Sequence, residues 1–196
     1  MTGDMTVSVH SGNDTSGPAI RTPITMANSY RLPDDPASLD WSGTDQLFYT
    51  RNTGANQIAL QTKLATMEHA EDAVTLASGV AALHAVFFTF LRTGDHVVVS
   101  DTTYEATWKL WSHLLPQKHG IEATFVDIAD ADAVAAAFTP RTRMLVAETI
   151  ANPTTKVADI AALAALAHDA DALLLIDSTF TPPPMYRPLD AGADLV

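Results

Sequence analysis

The amino-acid sequence predicts an α/β fold built around a parallel β-sheet. Short apolar runs such as VVVS, MLVAE and LLLID recur along the chain, and helical patterns of about ten residues separate them. Strands that alternate with helices in this way form right-handed βαβ units, whose helices cover both faces of the sheet. The runs lack polar alternation, which is typical of strands buried on both faces.

The first part of the chain differs in character from the rest. Residues 1–55 are rich in Pro, Gly, Ser, Thr and Asp, and they show neither strand nor helix periodicity. This composition predicts an extended N-terminal arm. The alternating pattern begins after the arm, so residues 56–196 are predicted to form the α/β domain.

The elements of that domain follow one another in a regular order. Apolar residues at helical spacing predict a helix from Asn56, and the run AVTLAS from Ala73 predicts a buried strand. The final residues, AGADLV, resemble the start of a further strand. Between these ends the sequence predicts helix Gly79–Leu91, strand His96–Ser100, helix Tyr104–Leu115, strand Glu122–Val126, helix Asp130–Phe138, strand Met144–Glu148, helix Ile160–Asp169 and strand Leu173–Asp177.

Composition and charge exclude several classes of function. The 196 residues include 11 Lys and Arg against 23 Asp and Glu, a formal charge of −12, and no Cys. Nucleic acids and anionic membranes require a basic patch, so neither is expected as a partner. The lack of Cys excludes disulfides and thiolate sites and suits a cytoplasmic location. No apolar run reaches the roughly 20 residues of a membrane span, and MTGDMTVSVH does not resemble a signal peptide.

Candidate functional residues follow the predicted strands, because ligands of open parallel sheets bind beyond the carboxyl ends of the strands. The tripeptide Ser78–Val80 precedes an apolar helix, and its backbone N–H groups suit a phosphate, although an ordinary helix cap has the same appearance. Tyr104 follows the strand that begins at His96. Its ring can either cover a flat ligand or pack as a core aromatic residue.

Two further strand ends carry polar residues. Glu148 ends one strand, and the nearby Asn152-Pro153 turn holds an amide at the sheet edge or serves only as a turn. Asp177 follows four apolar strand residues, so its carboxylate is partly desolvated and needs a cationic or hydrogen-bonding partner, unless it caps a turn. The motifs GxGxxG, GxxxxGK[ST], GxSxG and HExxH are absent, which removes the residues that dinucleotide, P-loop, hydrolase and zinc-protease sites require.

Taken together, these segments resemble the Cys/Met metabolism enzymes that use pyridoxal 5′-phosphate (PLP), such as cystathionine γ-synthase, cystathionine γ-lyase and methionine γ-lyase. The resemblance implies the type I, aspartate-aminotransferase-like fold of PLP enzymes, PLP as cofactor, and a homotetramer built from tight dimers. It extends over nearly the whole chain in the order PITMANSYRL, FYTRNTGANQIALQTKLATMEHAEDAVTLASGVAAL, GDHVVVSDTTYEATW, ETIANPTTKVADI and LLLIDSTFTPPPMYRPLDAGADLV.

The resemblance also implies how the cofactor phosphate is held. Gly79 and Val80 would donate backbone N–H groups to it, and Ser78 would help to shape the turn. Tyr49 and Arg51 match a Tyr-x-Arg pair on the arm, which would reach the cofactor phosphate of the neighbouring subunit. A guanidinium group suits phosphate oxygens, in agreement with this role.

The remaining implied roles concern the cofactor ring. Tyr104 would stack on the ring and accept a proton from the incoming amino acid, and Asp177 would pair with the protonated ring nitrogen. These two residues are the predicted catalytic residues. Asn152 would hydrogen-bond to the ring 3-oxygen, with Glu148 nearby, and Thr179 would support the loop of Asp177.

Three departures from the family pattern stand out. Gly54 replaces a proline turn, Val80 stands where Met or Gln is usual, and Glu105 and Ala106 follow the predicted ring-stacking tyrosine where many members have Gly. The last departure lies beside the substrate. It leaves open which amino acid reacts, and whether the reaction is a β- or γ-elimination or a replacement.

The lysine that would form a Schiff base with PLP lies, in the family, in a Ser-x-Thr-Lys motif expected a few residues beyond AGADLV. Lys63, Lys109, Lys118 and Lys156 do not stand in such a motif. We therefore expect the N-terminal, cofactor-binding part of a carbon–sulfur lyase or transsulfuration enzyme, active only with a lysine-bearing C-terminal piece. Its substrates would be sulfur-containing or O-acylated amino acids such as cystathionine, methionine or O-acylhomoserine.

Two alternatives to this interpretation remain open. In the first, the chain is an inactive fragment with the same fold. In the second, it is an interaction subunit that pairs with an intact homologue and lends Tyr49 and Arg51 across the interface.

Overall fold

The computed structural model describes residues 3–13, 17–40 and 46–196. The chain divides into two compact units, Met1–Thr75 and Leu76–Val196. The predicted arm, residues 1–55, belongs to the first unit together with the helix that follows it.

The first unit consists of largely irregular chain and several helices. Its elements are α1 (Asp4–His10), a 3-10 turn (Pro36–Ser38), α2 (Thr50–Thr53) and α3 (Ala55–Glu68). The Lys63 ammonium on α3 donates a hydrogen bond to the Ser8 carbonyl of α1 at 3.0 Å. The Asn56 side chain exchanges two hydrogen bonds with the Thr25 backbone, at 3.0 and 2.9 Å. α3 therefore supports the extended chain, and its position agrees with the helix predicted from Asn56.

The strand predicted from Ala73 is absent from the described structure, and that prediction was wrong. Residues 73–76 form no helix or strand and pair with no strand of the sheet. Local side chains satisfy the backbone instead, because Ala73 N–H donates to the Asp72 carboxylate and Thr75 N–H to the Gln61 side chain. Val74 is 74% exposed, so the apolar run is not buried in this chain.

The second unit is built on a four-stranded sheet in the order β2-β1-β3-β4, with every neighbouring pair parallel. Strands alternate with helices as predicted, which confirms the α/β class. The elements are α4 (Gly79–Phe90), β1 (His96–Ser100), α5 (Glu105–Lys109) with a π-helix (Leu110–His119), β2 (Glu122–Val126), α6 (Ala131–Ala137), β3 (Thr142–Glu148), α7 (Ile160–Asp169), β4 (Leu173–Asp177) and a 3-10 turn (Pro188–Ala191).

Helices cover both faces of this sheet. On one face, α6 and α7 pack against Val98 and other residues that point the same way. On the other face, α4 and the π-helix pack against Val97 and Val99. There the rings of Phe87 and Trp111 are both buried, with centroids 4.0 Å apart in an edge-to-face arrangement. Alternate residues of β1 thus point to two separate apolar layers, as expected for a strand buried on both sides.

The helix predicted over Tyr104–Leu115 has a different form in the structure. It is α-helical only over Glu105–Lys109, continues as a π-helix and ends at Gly120, whose φ of +63° suits glycine. Pro116 lies inside the π-helical part and has no N–H to donate. A prediction based on α-helical periodicity therefore ends too early, because the wider turn carries the helix past the proline.

The segment AGADLV does begin a strand-like pairing. Leu195 forms a parallel bridge with Leu175 of β4. Ile176 N–H donates to the Leu195 carbonyl at 2.9 Å, and Leu195 N–H donates to the Leu174 carbonyl at 3.1 Å. The end of the described chain therefore lies along the β4 edge of the sheet.

Candidate functional site

A cavity of about 370 Å³ opens at the carboxyl ends of the strands, within the second unit. This volume falls in the roughly 300–1,000 Å³ range of small-molecule and cofactor sites. The lining residues come from the start of α4, from α5 and from the loops after β1, β3 and β4. They are Ser78, Gly79, Val80, Leu83, Tyr104, Thr107, Glu148, Ile150, Asn152, Asp177, Thr179 and Phe180.

The start of α4 forms one wall of this cavity. Ser78 is the N-cap, and its hydroxyl accepts a hydrogen bond from Ala81 N–H at 3.1 Å. The N–H groups of Gly79 and Val80 donate to no acceptor within the described residues. Beside Gly79 the space is open, since a Cβ there would meet no atom within 4 Å. Free N–H groups at the positive end of a twelve-residue helix suit a phosphate.

Glu148 joins two loops of the site. It is only 5% exposed, and its carboxylate accepts hydrogen bonds from the Thr103 hydroxyl at 2.7 Å and from Tyr104 N–H. The other carboxylate oxygen accepts Asn152 N–H at 2.9 Å. One carboxylate thus fixes the backbone on either side of the cavity, after β1 and after β3.

Asp177 ends β4 directly opposite Glu148 in the parallel register. One of its oxygens accepts hydrogen bonds from both the N–H and the hydroxyl of Thr179. The other oxygen accepts no hydrogen bond from the described residues. Asp177 lines the cavity and is half-buried, so a donor or cation placed in the cavity would meet an available carboxylate oxygen.

Four of the lining residues are not among those predicted from the sequence: Leu83, Thr107, Ile150 and Phe180. Thr107 is the informative one, because its hydroxyl is fully buried and has no hydrogen-bond partner among the described residues. A buried hydroxyl without a partner is costly, so this threonine marks a place beside the cavity where the described residues leave a polar group unsatisfied. The sequence offers only its position three residues after Tyr104, a helical spacing that does not by itself mark a ligand contact.

Tyr49 and Arg51 belong to the first unit and are not among the residues that line the cavity. The Arg51 guanidinium lies 5.0 Å from the centre of the Tyr49 ring, in a cation–π contact. The backbone of Tyr49 forms an antiparallel bridge with Ser29. The Tyr-x-Arg pair is thus an ordered feature of the first unit.

The lysines are placed outside the cavity. Lys156 bonds to two aspartates, Asp127 at 2.9 Å and Asp101 at 3.3 Å, and the Asp127 hydrogen bond raises the pKa of Lys156. Lys109 pairs with Glu105 on the surface of α5. Stabilised ammonium groups of this kind are poor nucleophiles.

Comparison with known proteins decides the family. The Cys/Met metabolism PLP-dependent enzyme family matches residues 5–196. This chain belongs to that family. Among its curated relatives are canavanine γ-lyases from Rhizobium leguminosarum bv. trifolii, 64% identical, and from Pseudomonas canavaninivorans, 58% identical. Each match covers 97% of this chain but 48% of the relative. An L-methionine γ-lyase from Fusobacterium nucleatum is 42% identical over 76% of this chain and 38% of that protein.

Solved structures of the family share the fold. Cystathionine γ-lyase from Lactobacillus plantarum, complexed with L-serine, superposes with a TM-score of 0.87 at 36% identity, over 98% of this chain and 49% of that one. An O-acetylhomoserine (thiol)-lyase structure from Campylobacter jejuni, which contains a pyridoxyl-lysine phosphate, gives a TM-score of 0.90 at 27% identity, over 98% and 47% respectively. The predicted type I PLP-enzyme fold is confirmed, and the chain spans about half the length of the relatives it matches.

Two further observations concern membrane spans and metal-binding clusters in the described residues. In residues 3–13, 17–40 and 46–196, no helix is long and apolar enough to cross a membrane. Over the same residues, no group of three His, Asp or Glu side chains is placed to hold a metal ion.

Proposed function

We propose that this chain forms the cofactor-binding part of a PLP-dependent γ-lyase that acts on canavanine. The observation that carries the proposal is the cavity, where a phosphate-binding helix start and an available carboxylate oxygen face one space. The two canavanine γ-lyases at 64% and 58% identity support this substrate over those of the methionine γ-lyase at 42%. Canavanine carries an oxygen leaving group on its γ carbon, as does the O-acylhomoserine expected from sequence.

The residues of the cavity fit PLP in three respects. Unpaired N–H groups of Gly79 and Val80 suit its phosphate. The available oxygen of Asp177 suits a protonated ring nitrogen. The buried hydroxyl of Thr107 lacks a partner among the described residues, as a group completed by a ligand would.

PLP, when bound, supplies a ring that withdraws electrons from the α carbon of an amino acid. In this proposal Asp177 holds the proton on the ring nitrogen, and the Asn152 amide binds the ring 3-oxygen. The ring of Tyr104, 47% exposed and lining the cavity, would cover the cofactor, and in its phenolate form its oxygen would accept a proton from the amino group of the substrate. Glu148 holds the backbone N–H groups of Tyr104 and Asn152 in place.

The N-terminal arm bears on how subunits of the enzyme would assemble. We propose that residues 1–55 extend to a neighbouring subunit, where Tyr49 and Arg51 bind the phosphate of its cofactor. Their cation–π contact aligns the guanidinium group before it meets an anion. The oligomer would then be a pair of tight dimers.

Cofactor binding can be measured directly. The 196-residue chain would be titrated with PLP, alone and after co-expression with the C-terminal half of the Rhizobium canavanine γ-lyase, while cofactor absorbance and tryptophan fluorescence are followed. We expect saturable binding that pyridoxal without phosphate does not reproduce. Because a hydrogen bond to a charged group contributes about 1.5–3 kcal/mol, Asp177→Asn should weaken binding by roughly 10- to 100-fold.

The control is Asp132→Asn, which changes an exposed carboxylate on α6 away from the cavity. This variant should bind PLP like the unmodified chain. If PLP does not bind in either preparation, or if both variants bind equally well, the proposed cofactor site is wrong and the inactive fragment becomes the better description.

A further inference from the structure

A second cavity opens beside the candidate site, and its walls combine aromatic rings with a carboxylate. It has a volume of about 370 Å³ and is lined by Thr103, Tyr104, Glu105, Trp108, Asn152 and Pro153. Two of these residues, Tyr104 and Asn152, also line the first cavity. The two spaces are therefore neighbours, and a ligand that extends past Tyr104 enters the second one.

The chemistry of the second cavity favours a flat cation. Trp108 lines this cavity and is 41% exposed, and its ring packs against His113 with the two centroids 5.3 Å apart. Glu105 supplies the one carboxylate among the six lining residues. An aromatic ring with a neighbouring carboxylate is the combination that binds guanidinium groups, through cation–π attraction and paired hydrogen bonds.

Glu105 already has a cationic neighbour, Lys109, one helical turn away. The hydrogen bond from Lys109 lowers the pKa of Glu105. Both side chains are well exposed, at 75% and 63%, and exposed pairs of this kind contribute little to stability. A ligand cation can therefore take the place of Lys109, whose side chain is not among those lining the cavity.

We propose that Glu105 and Trp108 form a specificity subsite for the cationic far end of the substrate, a guanidinium-type group, while its α-amino end occupies the first cavity. This inference rests on the proposed function and deepens it. An amino acid whose side chain ends in a neutral group would gain no binding free energy from an ion pair at this subsite.

Binding at the subsite can be observed on the chain itself. Titration of the 196-residue chain with L-canavanine should shift the indole N–H signal of Trp108 in NMR spectra, assigned with Trp108→Phe, and L-homoserine should not shift it. Glu105→Gln should weaken canavanine binding about fivefold, as expected for one exposed ion pair. Glu122→Gln, an exposed acidic residue on β2 that does not line the cavity, is the matched control. Equal shifts with both ligands, no shift, or equal binding by the two Gln variants would overturn the subsite.

Catalysis separates the subsite from the proposed function. In an enzyme made from this chain and the C-terminal half of the Rhizobium canavanine γ-lyase, Glu105→Gln should raise KM for canavanine about fivefold. It should leave kcat, and both constants for O-acetylhomoserine, within twofold. Equal losses on both substrates would contradict the subsite while the γ-lyase activity stands. An enzyme inactive on both substrates, together with a canavanine-specific Trp108 shift, would contradict the γ-lyase activity while the subsite stands.

Discussion

Replacement of Glu148 should destabilise the chain and disorder both loops that it joins. Its carboxylate is buried and accepts three hydrogen bonds, from the Thr103 hydroxyl, Tyr104 N–H and Asn152 N–H. In Glu148→Gln, one oxygen becomes an NH₂ group that faces a donor, so at least one of these N–H groups loses its acceptor. An unsatisfied buried donor costs about 1–3 kcal/mol, so we expect a loss of roughly 2 kcal/mol of unfolding free energy.

Glu148→Ala should have a larger effect, because all three donors lose their acceptor. Each hydrogen bond to a charged acceptor contributes about 1.5–3 kcal/mol, and relief of the buried charge offsets part of that sum. The expected loss is about 3–5 kcal/mol. Urea unfolding of the whole chain measures the unfolding free energy of both variants. The control is Glu122→Gln, which removes an exposed ion pair with Arg141 at 2.6 Å and should change the unfolding free energy by less than about 1 kcal/mol.

Hydrogen exchange supplies the readout that a general loss of stability would not mimic. In Glu148→Gln, the amides of Tyr104 and Asn152 should exchange faster relative to the amides of β1, which lies in the buried sheet. The reasoning would be refuted by a Glu148→Gln variant that is as stable as Glu122→Gln. It would also be refuted by uniform acceleration of exchange across the sheet with no excess at the two loops.

Three further predictions concern stability. Burial lowers the pKa of His96, so the folded state binds a proton at this side chain less readily than the unfolded state, and the unfolding free energy should fall as pH drops below about 6.5. Urea titrations at several pH values should show a flatter pH dependence for His96→Gln, but not for the exposed control His113→Gln. Because Lys156 contacts both Asp101 and Asp127, Lys156→Gln should lower the melting temperature more than the exposed Lys118→Gln does, and salt at 1 M should reduce the difference between the two variants. If salt changes the melting temperatures of both variants equally, the two ion pairs of Lys156 do not stabilise the fold. Phe87→Ala should cost about 3–5 kcal/mol in urea unfolding, because the ring is buried against a tryptophan, and a loss below 1 kcal/mol would mean that this core is loosely packed.

The sheet was predictable because its strands carry a simple signal. Strands such as His96–Ser100 and Leu173–Asp177 are apolar on both faces and lie between Gly, Pro or Asp residues, and the structure has them at the predicted bounds. The strand end at Glu148 was also predicted, although β3 begins at Thr142, two residues earlier than expected. Parallel strands place their carboxyl ends at one edge, which is why residues far apart in sequence were expected at one site.

Features that depend on tertiary contacts were not predictable in the same way. The segment from Ala73 has the composition of a strand, but strand formation requires a neighbour, and local side chains took its N–H groups instead. Thr107 was missed because a threonine in a helix has no distinctive spacing of its own. Only the burial of its hydroxyl without a partner among the described residues marks it.

The two carboxylates at the ends of β3 and β4 show what the fold adds to the residue types. Glu148 and Asp177 are register partners, so both lie at the same edge of the sheet. Sequence reasoning treated both as residues of one cofactor site. Both oxygens of Glu148 accept hydrogen bonds from the neighbouring loops, whereas Asp177 has one oxygen that accepts nothing from the described residues. A carboxylate can bind a new partner only with an acceptor to spare, so Asp177 is suited to a ligand in the cavity and Glu148 to the loops around it.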